Sequence, residues 1–223
     1  MLSNDVTQAP CEALLLTPKG RLIAPLVIVR RDDADFLLLT EPGLGEPVRS
    51  TLLRARFAAK VEIEPEEHRS LIVFGENGGI PTSDYGVPAG EHLDADGEPT
   101  VNGDELERLR IEAGTPAWGK ELDDTILPAE AGLDERAISY TKGCYPGQEP
   151  IARLRHRGKV NRRLRILDVE RATPGDQLVY EGKQVGRITS AVPGRALAYV
   201  RVEVPAEAEL EVGADMAKAR VVS

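Results

Sequence analysis

The residue best suited for chemistry is Cys144, which lies in the string Lys142-Gly143-Cys144-Tyr145-Pro146-Gly147-Gln148-Glu149. This string is typical of a strand end, a glycine-flanked turn and the start of a helix. A helix N-terminus presents unpaired N–H groups and partial positive charge, and Lys142 adds a full charge. Both favour thiolate over thiol, so an exposed Cys144 is predicted to be a nucleophile or a soft-metal ligand. The alternative is a small buried apolar residue, because cysteines outside disulfides are often buried.

A short basic segment begins at the same place. Between residues 142 and 165 there are eight basic residues and one acid, Glu149, so the segment carries +7 while the rest of the chain carries −16. The basic residues are Lys142, Arg153, Arg155, Arg157, Lys159, Arg162, Arg163 and Arg165. Such a segment in an acidic chain predicts an anion site. The alternative is that these side chains pair with the surplus carboxylates or stay solvated.

Composition excludes several classes of protein. The net charge of −9 over 223 residues argues against a dedicated nucleic-acid binder. Two cysteines are too few for a disulfide framework or for a self-contained iron–sulfur or Cys-type zinc site. The three histidines lack metal-ligand spacing, so no metal site is predicted. The longest apolar run, residues 22–29, is too short to span a bilayer, and no signal peptide is visible. We therefore expect a cytoplasmic protein with reduced thiols and no membrane partner.

Hydrophobic periodicity predicts the elements that position these residues. Before residue 75 it predicts strands at 13–17, 22–29, 36–40, 61–63 and 70–74, and a helix at 48–60 whose apolar residues include Phe57. Residues 75–103 are rich in glycine and proline and are predicted to be a loop with room for short strands. Residues 104–113 are predicted to be a helix that Asn102 or Asp104 caps and Gly114 ends.

The second half of the chain changes character. Residues 138–140 are predicted to be a strand leading into the Cys144 turn, and Pro146 to be the first residue of a helix reaching about His156. Beyond residue 160, turns separate strand-like runs at 164–169, 177–180, 184–189, 197–204 and 210–212. Short strands at this spacing predict a small β-barrel or sandwich and a boundary near residue 160.

Several stretches together carry a resemblance to a known family. The string K-G-C-Y-x-G-Q-E, followed by Ile151-Ala152-Arg153 and Arg157-Gly158, resembles the signature of YgfZ-type folate-binding proteins. These belong to the superfamily of the glycine-cleavage T-protein and assist iron–sulfur enzymes. Residues 2–7, 16–21, 110–116 and 127–133 are also similar and occur in the expected order. The resemblance implies an α+β chain: a GcvT-like folate-binding fold of mixed antiparallel sheets with helices and a shortened N-terminus over residues 1–160, then a β-barrel over 161–223.

The resemblance also implies a pocket for tetrahydrofolate or a derivative. By similarity, Glu112 grips the pterin, since one carboxylate can accept two N–H bonds from an aminopyrimidine edge. The other expected folate contacts are Asn4, Arg110, Tyr145, Gln148 and Arg153. Lys142, Arg155, Arg157 and Arg162 form the expected anion patch, and Arg153, Arg155 and Arg157 could hold either a folate tail or a partner's acidic or phosphate groups.

Departures from the superfamily pattern shape the functional prediction. The T-protein has an acidic residue shortly after its Gly-Arg-like turn, whereas here Gly20-Arg21-Leu22-Ile23 is followed by Ala24-Pro25 with no carboxylate, so aminomethyl transfer is not expected. Leu106 stands where some relatives have tryptophan. We predict a tetrahydrofolate-binding accessory factor for iron–sulfur enzymes, including tRNA-modifying ones, with Cys144 as its functional thiol and iron–sulfur enzymes or cluster carriers as transient partners. The alternatives are an aminomethyltransferase-like one-carbon transferase and a module that binds tRNA or another polyanion through the basic segment.

Overall fold

A computed structural model describes residues 1–76, 78–213 and 216–222, apart from the side chain of Arg157. In chain order its strands and α-helices are β1 (Cys11–Leu16), β2 (Leu22–Arg30), β3 (Phe36–Leu39), α1 (Gly45–Ala55), β4 (Ser70–Phe74), β5 (Ile80–Thr82), β6 (Ala89–Leu93), α2 (Gly103–Ala113), α3 (Leu133–Arg136), α4 (Gln148–Arg157), β7 (Arg162–Val169), β8 (Gln177–Tyr180), β9 (Lys183–Val192), β10 (Gly194–Arg201), β11 (Glu209–Val212) and β12 (Ala217–Val221). Short 3₁₀ helices cover Val6–Gln8 and Pro128–Glu130.

The chain divides into two compact units, each built from two stretches of sequence. Unit 1 contains residues 1–68 and 123–159, and unit 2 contains residues 69–122 and 160–223. Residues 69–122, which we expected in the N-terminal region, therefore group with the strands that follow residue 160.

Unit 1 holds an antiparallel sheet with the strand order β1-β2-β3. Along β2, Leu22, Ala24, Leu26 and Ile28 are buried and alternate with partly exposed residues, because successive side chains of a strand point to opposite faces. The turn between β1 and β2 is closed by a bond from the Thr17 amide to the Arg21 carbonyl oxygen.

Unit 2 holds a small sheet, β4-β6-β5, and a closed antiparallel barrel in the order β10-β7-β12-β11-β8-β9. The strand spacing alone left barrel and sandwich open, the family resemblance implied a barrel, and the barrel is confirmed. Large apolar side chains fill its interior together with small ones: Leu167, Leu178, Ile188, Val200, Leu210, Ala196 and Ala198. Closure pairs the strands around the barrel and protects their edges.

Helix α2 contacts β9 and β10 of the barrel. Of the two predicted caps, Asn102 and Asp104, Asn102 caps the helix, since its Oδ1 accepts a hydrogen bond from the Glu105 amide at 2.9 Å. Gly114 ends it in the left-handed conformation, with φ at +75°. A Cβ at Gly114 would lie 3.2 Å from Cδ1 of Ile166 on β7, so the end of α2 lies close against the barrel.

Two predictions in the first half of the chain were wrong. The helix predicted at 48–60 is α1, which ends at Ala55 because Phe57 turns the backbone to a positive φ of 48° and leaves its ring 93% exposed. Residues 61–63 form no strand. The Val61 and Ile63 carbonyl oxygens accept side-chain bonds from Arg56 and Arg49 instead of ladder bonds.

Three predictions in the second half also needed correction. Residues 138–140 are not a strand, although the Ser139 amide donates to the Ser3 carbonyl oxygen. Helix α4 begins at Gln148, two residues after Pro146, which lies in the preceding turn. Strand β12 was missed because its apolar positions at 217 and 219 are alanine, which is not typical of strands.

Candidate functional site

The Cys144 turn joins the segment at 137–142 to helix α4 in unit 1. Cys144 is exposed, as the chemical prediction required. Gly147 caps the helix in the left-handed conformation, with φ at +84°, and α4 begins at the next residue. The exposed thiol therefore lies four residues before a helix N-terminus.

Two glycines fix the position of this turn within unit 1. A Cβ on Gly147 would lie 2.6 Å from the Thr17 carbonyl oxygen, which is closer than real Cβ atoms approach other atoms, and 3.0 Å from the Gly20 Cα, which is a tight contact. Gly20 is in turn close to the first turn of α4, since its Cβ would meet Pro150 at 3.3 Å. The Cys144 turn thus packs against the β1–β2 turn so closely that Gly147 has space there for a hydrogen atom but not for a Cβ.

The Lys142 ammonium group, which was expected to favour the Cys144 thiolate, contacts two other residues. Its Nζ donates a hydrogen bond to the Leu2 carbonyl oxygen at 2.5 Å and lies 5.4 Å from the centroid of the Tyr145 ring. Burial lowers the pKa of Lys142, although the negative charge of Asp5 acts in the opposite direction. The ammonium group therefore ties the N-terminal segment to the Cys144 turn.

Tyr145 follows Cys144 and is 6% exposed. Its hydroxyl oxygen is buried and has no hydrogen-bond partner among the described residues. Burial, with a smaller contribution from Tyr140, raises the pKa of Tyr145 to about 12, so the phenol stays neutral. As a folate contact, Tyr145 stays a prediction, and so does Gln148, which is the half-buried first residue of α4.

Ser3 and Asn4 hold the N-terminal segment beside the turn. Ser3 is fully buried: its Oγ donates to the Ala137 carbonyl oxygen at 2.6 Å and accepts from the Leu14 amide at 2.7 Å. The amide group of Asn4 donates to the Glu12 carbonyl oxygen at 2.7 Å and accepts from the Asp5 amide at 2.9 Å. The role of Asn4 in folate binding stays a prediction. Sequence reasoning missed Ser3, because a single serine near a terminus carries no pattern.

The predicted anion patch is divided between the two units. On α4, the Arg155 guanidinium lies 3.6 Å from the centre of the Tyr140 ring. Arg153 pairs with Glu149 at 2.9 Å in an exposed i,i+4 contact, and its role as a folate contact stays a prediction. The Arg157 side chain lies outside the described residues. Arg162 belongs to unit 2, where its guanidinium lies 4.8 Å from the centre of the Tyr199 ring. The patch itself stays a prediction.

Glu112 lies in unit 2, on the last turn of α2, and its side chain is exposed. Its Oε1 is 3.3 Å from the Nη1 of Arg108, one turn earlier. The other terminal nitrogen of Arg108 donates to the Pro193 carbonyl oxygen at 3.0 Å, in the turn between β9 and β10. The carboxylate expected to hold a pterin is therefore accessible and lies next to one tethered cation.

Arg110 lies two residues earlier and is 8% exposed. Its guanidinium forms a two-pronged bond with Glu107 and also contacts Glu121, whose side chain is fully buried. Burial would lower the pKa of Arg110, but the two carboxylates outweigh it and the pKa is raised. Bonds from Arg110 and Lys120 lower the pKa of Glu107 to about 2. Sequence reasoning missed Glu121, because no spacing rule links it to Arg110.

Two exclusions from the sequence can be compared with the structure. Within residues 1–76, 78–213 and 216–222, no group of three His, Cys, Asp or Glu side chains could hold a metal ion. No helix in the same residues has the length and apolar character needed to cross a membrane.

Comparison with known proteins agrees with this architecture. Residues 161–223 match a family model described as the CAF17 C-terminal beta-barrel domain. The crystal structure of glycine cleavage system aminomethyltransferase T from Bartonella henselae superimposes with a TM-score of 0.77 at 17% identity, covering 96% of this chain and 74% of that one. The fold is therefore GcvT-like, with mixed antiparallel sheets and helices and a C-terminal barrel, as predicted.

Sequence relatives extend the comparison. An uncharacterized protein of Haemophilus influenzae is 28% identical over 211 residues, which cover 86% of this chain and 75% of the relative. An aminomethyltransferase of Shouchella clausii is 30% identical over 125 residues, which cover 51% of this chain but only 34% of that enzyme. Together with the barrel match, these similarities place the chain in the GcvT superfamily. The match of residues 161–223 to the CAF17 barrel supports a YgfZ-type protein within it.

Proposed function

We propose that the protein is a tetrahydrofolate-binding accessory factor for the assembly or maintenance of iron–sulfur enzymes, including enzymes of tRNA modification. The observation that carries this proposal is the exposed Cys144, held in a glycine-seated turn before α4 within the family string. An iron–sulfur cluster is here the cargo of a partner, because the chain has only two cysteines.

The Glu112 carboxylate of unit 2 has the chemistry needed to bind a folate. The exposed Glu112 carboxylate can accept N–H bonds from the aminopyrimidine edge of a pterin. Its present partner, Arg108, is a half-exposed cation 3.3 Å away, and exposed ion pairs contribute little free energy. A ligand with two N–H donors can therefore displace Arg108 from Glu112 at small cost.

Cys144 supplies the thiol chemistry in this proposal. Thiolates ligate iron and exchange with disulfides, and exposure is the first requirement for either reaction with a partner protein. Cys11 differs in this respect: it is half-buried, its Sγ lies 3.6 Å from the Asp5 carbonyl oxygen, and burial raises its pKa. The two cysteines thus form a matched pair for experiment.

The thiol is tested by comparing Cys144→Ala with Cys11→Ala in a strain that lacks the chromosomal gene. We expect Cys144→Ala to lose the restoration of iron–sulfur enzyme activity and Cys11→Ala to retain it, at equal protein levels. A Cys144→Ala protein that folds, binds folate and restores activity as well as the wild type would refute the role of the thiol.

The folate site is tested by calorimetry with tetrahydrofolate under anaerobic conditions. We expect Glu112→Gln to weaken binding by about 1–3 kcal/mol, the scale of a hydrogen bond to a charged group. Glu203→Gln is the control, since Glu203 is an exposed carboxylate of the same unit paired with Arg201. Equal affinities of Glu112→Gln and wild type would show that Glu112 is not the folate carboxylate.

A second candidate is aminomethyl transfer, which is suggested by the relatives named aminomethyltransferases. Against it, Ala24 on β2 is fully buried and Pro25 follows, so the position after Gly20-Arg21 has no carboxylate to handle an amine or a proton. An assay of methylene transfer from an aminomethyl-lipoyl carrier to tetrahydrofolate separates the two candidates. Turnover by the purified protein would favour the transferase.

A further inference from the structure

The orientation of Glu112 depends on how α2 is rotated about its own axis. Arg110 and Glu112 are two residues apart, so their side chains leave the helix about 200° apart. The Arg110 side chain is 10% exposed and lies on the packed side of α2, while Glu112 is exposed. The rotation of α2 that lets Arg110 form its hydrogen bonds therefore also sets the direction of the Glu112 carboxylate.

Arg110 is bound through all three of its guanidinium nitrogens. Nε and Nη2 donate to the two carboxylate oxygens of Glu107 at 3.0 and 2.7 Å, and Nη2 also donates to the Ser190 hydroxyl at 2.9 Å. Nη1 donates to the Thr115 carbonyl oxygen at 2.5 Å and to Glu121 Oε2 at 2.9 Å. A guanidinium has five N–H donors, and five contacts to this protein account for them.

Glu121 connects the same group to the barrel. Its side chain is fully buried, its Oε1 accepts from the Ser190 hydroxyl on β9 at 2.6 Å, and its Oε2 also accepts from the Ala117 amide at 3.1 Å. Its carbonyl oxygen accepts from the Tyr199 hydroxyl on β10 at 2.9 Å. The last turn of α2 is thereby joined to β9 through the buried carboxylate of Glu121, and the backbone carbonyl of the same residue is joined to β10.

We propose that Arg110, held by Glu121 and Ser190, is a positioning residue for the Glu112 carboxylate and not the direct folate contact that the resemblance implied. The inference rests on the proposed function, in which Glu112 receives the pterin ring. Arg108 acts on the exposed side of α2 through Pro193, whereas Arg110 fixes the helix from its buried side.

A double-mutant cycle tests this role, because a residue that acts only through another loses its effect once that other residue is changed. The variants are Arg110→Lys, Glu112→Gln and the double variant, and the measurement is calorimetry with tetrahydrofolate. Lysine keeps the charge but lacks the planar guanidinium that bonds to four groups at once, Glu107, Thr115, Glu121 and Ser190. We expect Arg110→Lys to weaken binding about tenfold alone and less than twofold when Glu112 is already glutamine.

The matched control is Arg220→Lys, since Arg220 pairs with Glu207 at 2.9 Å on the exposed surface of the same unit. It should leave tetrahydrofolate affinity unchanged. If Arg110→Lys does not fold, Ser190→Ala removes one partner of the guanidinium without a change of charge. We expect that variant to weaken binding two- to fivefold, with the same dependence on Glu112.

The outcomes separate the inference from the proposed function. Wild-type protein that does not bind tetrahydrofolate, or Glu112→Gln that binds as tightly as wild type, would refute the folate site and the inference together. If Glu112→Gln weakens binding but Arg110→Lys weakens it equally in both backgrounds, only the positioning role fails. A lower Tm with unchanged affinity of the folded Arg110→Lys protein would also overturn it, because that result describes a purely structural residue.

Discussion

The backbones of Gly147 and Gly20 lie so close together that a Cβ on Gly147 would be 3.0 Å from the Gly20 Cα. This approach joins the turn that carries Cys144 to the turn between β1 and β2. Both glycines also have positive φ angles, +84° at Gly147 and +75° at Gly20, which are unfavourable for residues that carry a Cβ.

We expect Gly147→Ala to lower the free energy of unfolding by about 2–4 kcal/mol, because strain at a positive φ adds to overpacking against backbone. Urea unfolding measures the change. Gly143→Ala is the control in the same turn, since a Cβ there would meet nothing within 4 Å. Equal stability of the two variants would show that the close approach has no energetic weight.

Ser3→Ala tests the attachment of the N-terminal segment. The change leaves the buried Leu14 amide and Ala137 carbonyl oxygen without their side-chain partner, and we expect a loss of about 1–3 kcal/mol in urea unfolding. Ser50→Ala is the control, because the Ser50 hydroxyl donates to the Pro47 carbonyl oxygen in an exposed contact within its own helix. A Ser3→Ala protein as stable as the control would contradict the proposed importance of this serine.

The lowered pKa of Glu107 predicts how the stability of the protein changes at acid pH. The Arg110 bonds lower the pKa of Glu107 from 4.5 to about 2, so its stabilising effect is complete above pH 4.5 and is lost as the pH falls toward 2. Glu107→Gln should therefore be less stable than wild type at neutral pH, and the gap should close between pH 4.5 and 2. Glu98→Gln controls for the loss of one exposed charge. A gap that stays constant over this range would rule out the linkage.

The predictable parts of this molecule are those specified by neighbouring residues. Asn102 and Gly114 bound α2 as predicted because capping uses groups within one helical turn. The sequence left open whether Cys144 is exposed or buried, and only the structure shows that it is exposed. Phe57 misled the helix prediction because its apolar ring is exposed, and apolar spacing alone does not reveal a positive φ.

The parts that could not be predicted depend on distant residues. Ser190 meets Glu121 from 69 residues away, and Ser3 meets Ala137 from 134 residues away. Neither serine has a neighbour in sequence that indicates burial or a partner. Only the folded chain brings their hydroxyls to groups that would otherwise be buried without hydrogen bonds.

Helix α2 belongs to unit 2, but residues 161–223, which match the barrel family, do not include it. The part of the chain that would have to fold together is therefore larger than the matched barrel. Residues 161–223 expressed alone would leave the Ser190 and Tyr199 hydroxyls without Glu121, to which both are bonded here. A recombinant fragment or a chimera cut at residue 160 would therefore need the preceding 69–122 stretch supplied as well, either in the same chain or as a complementing peptide.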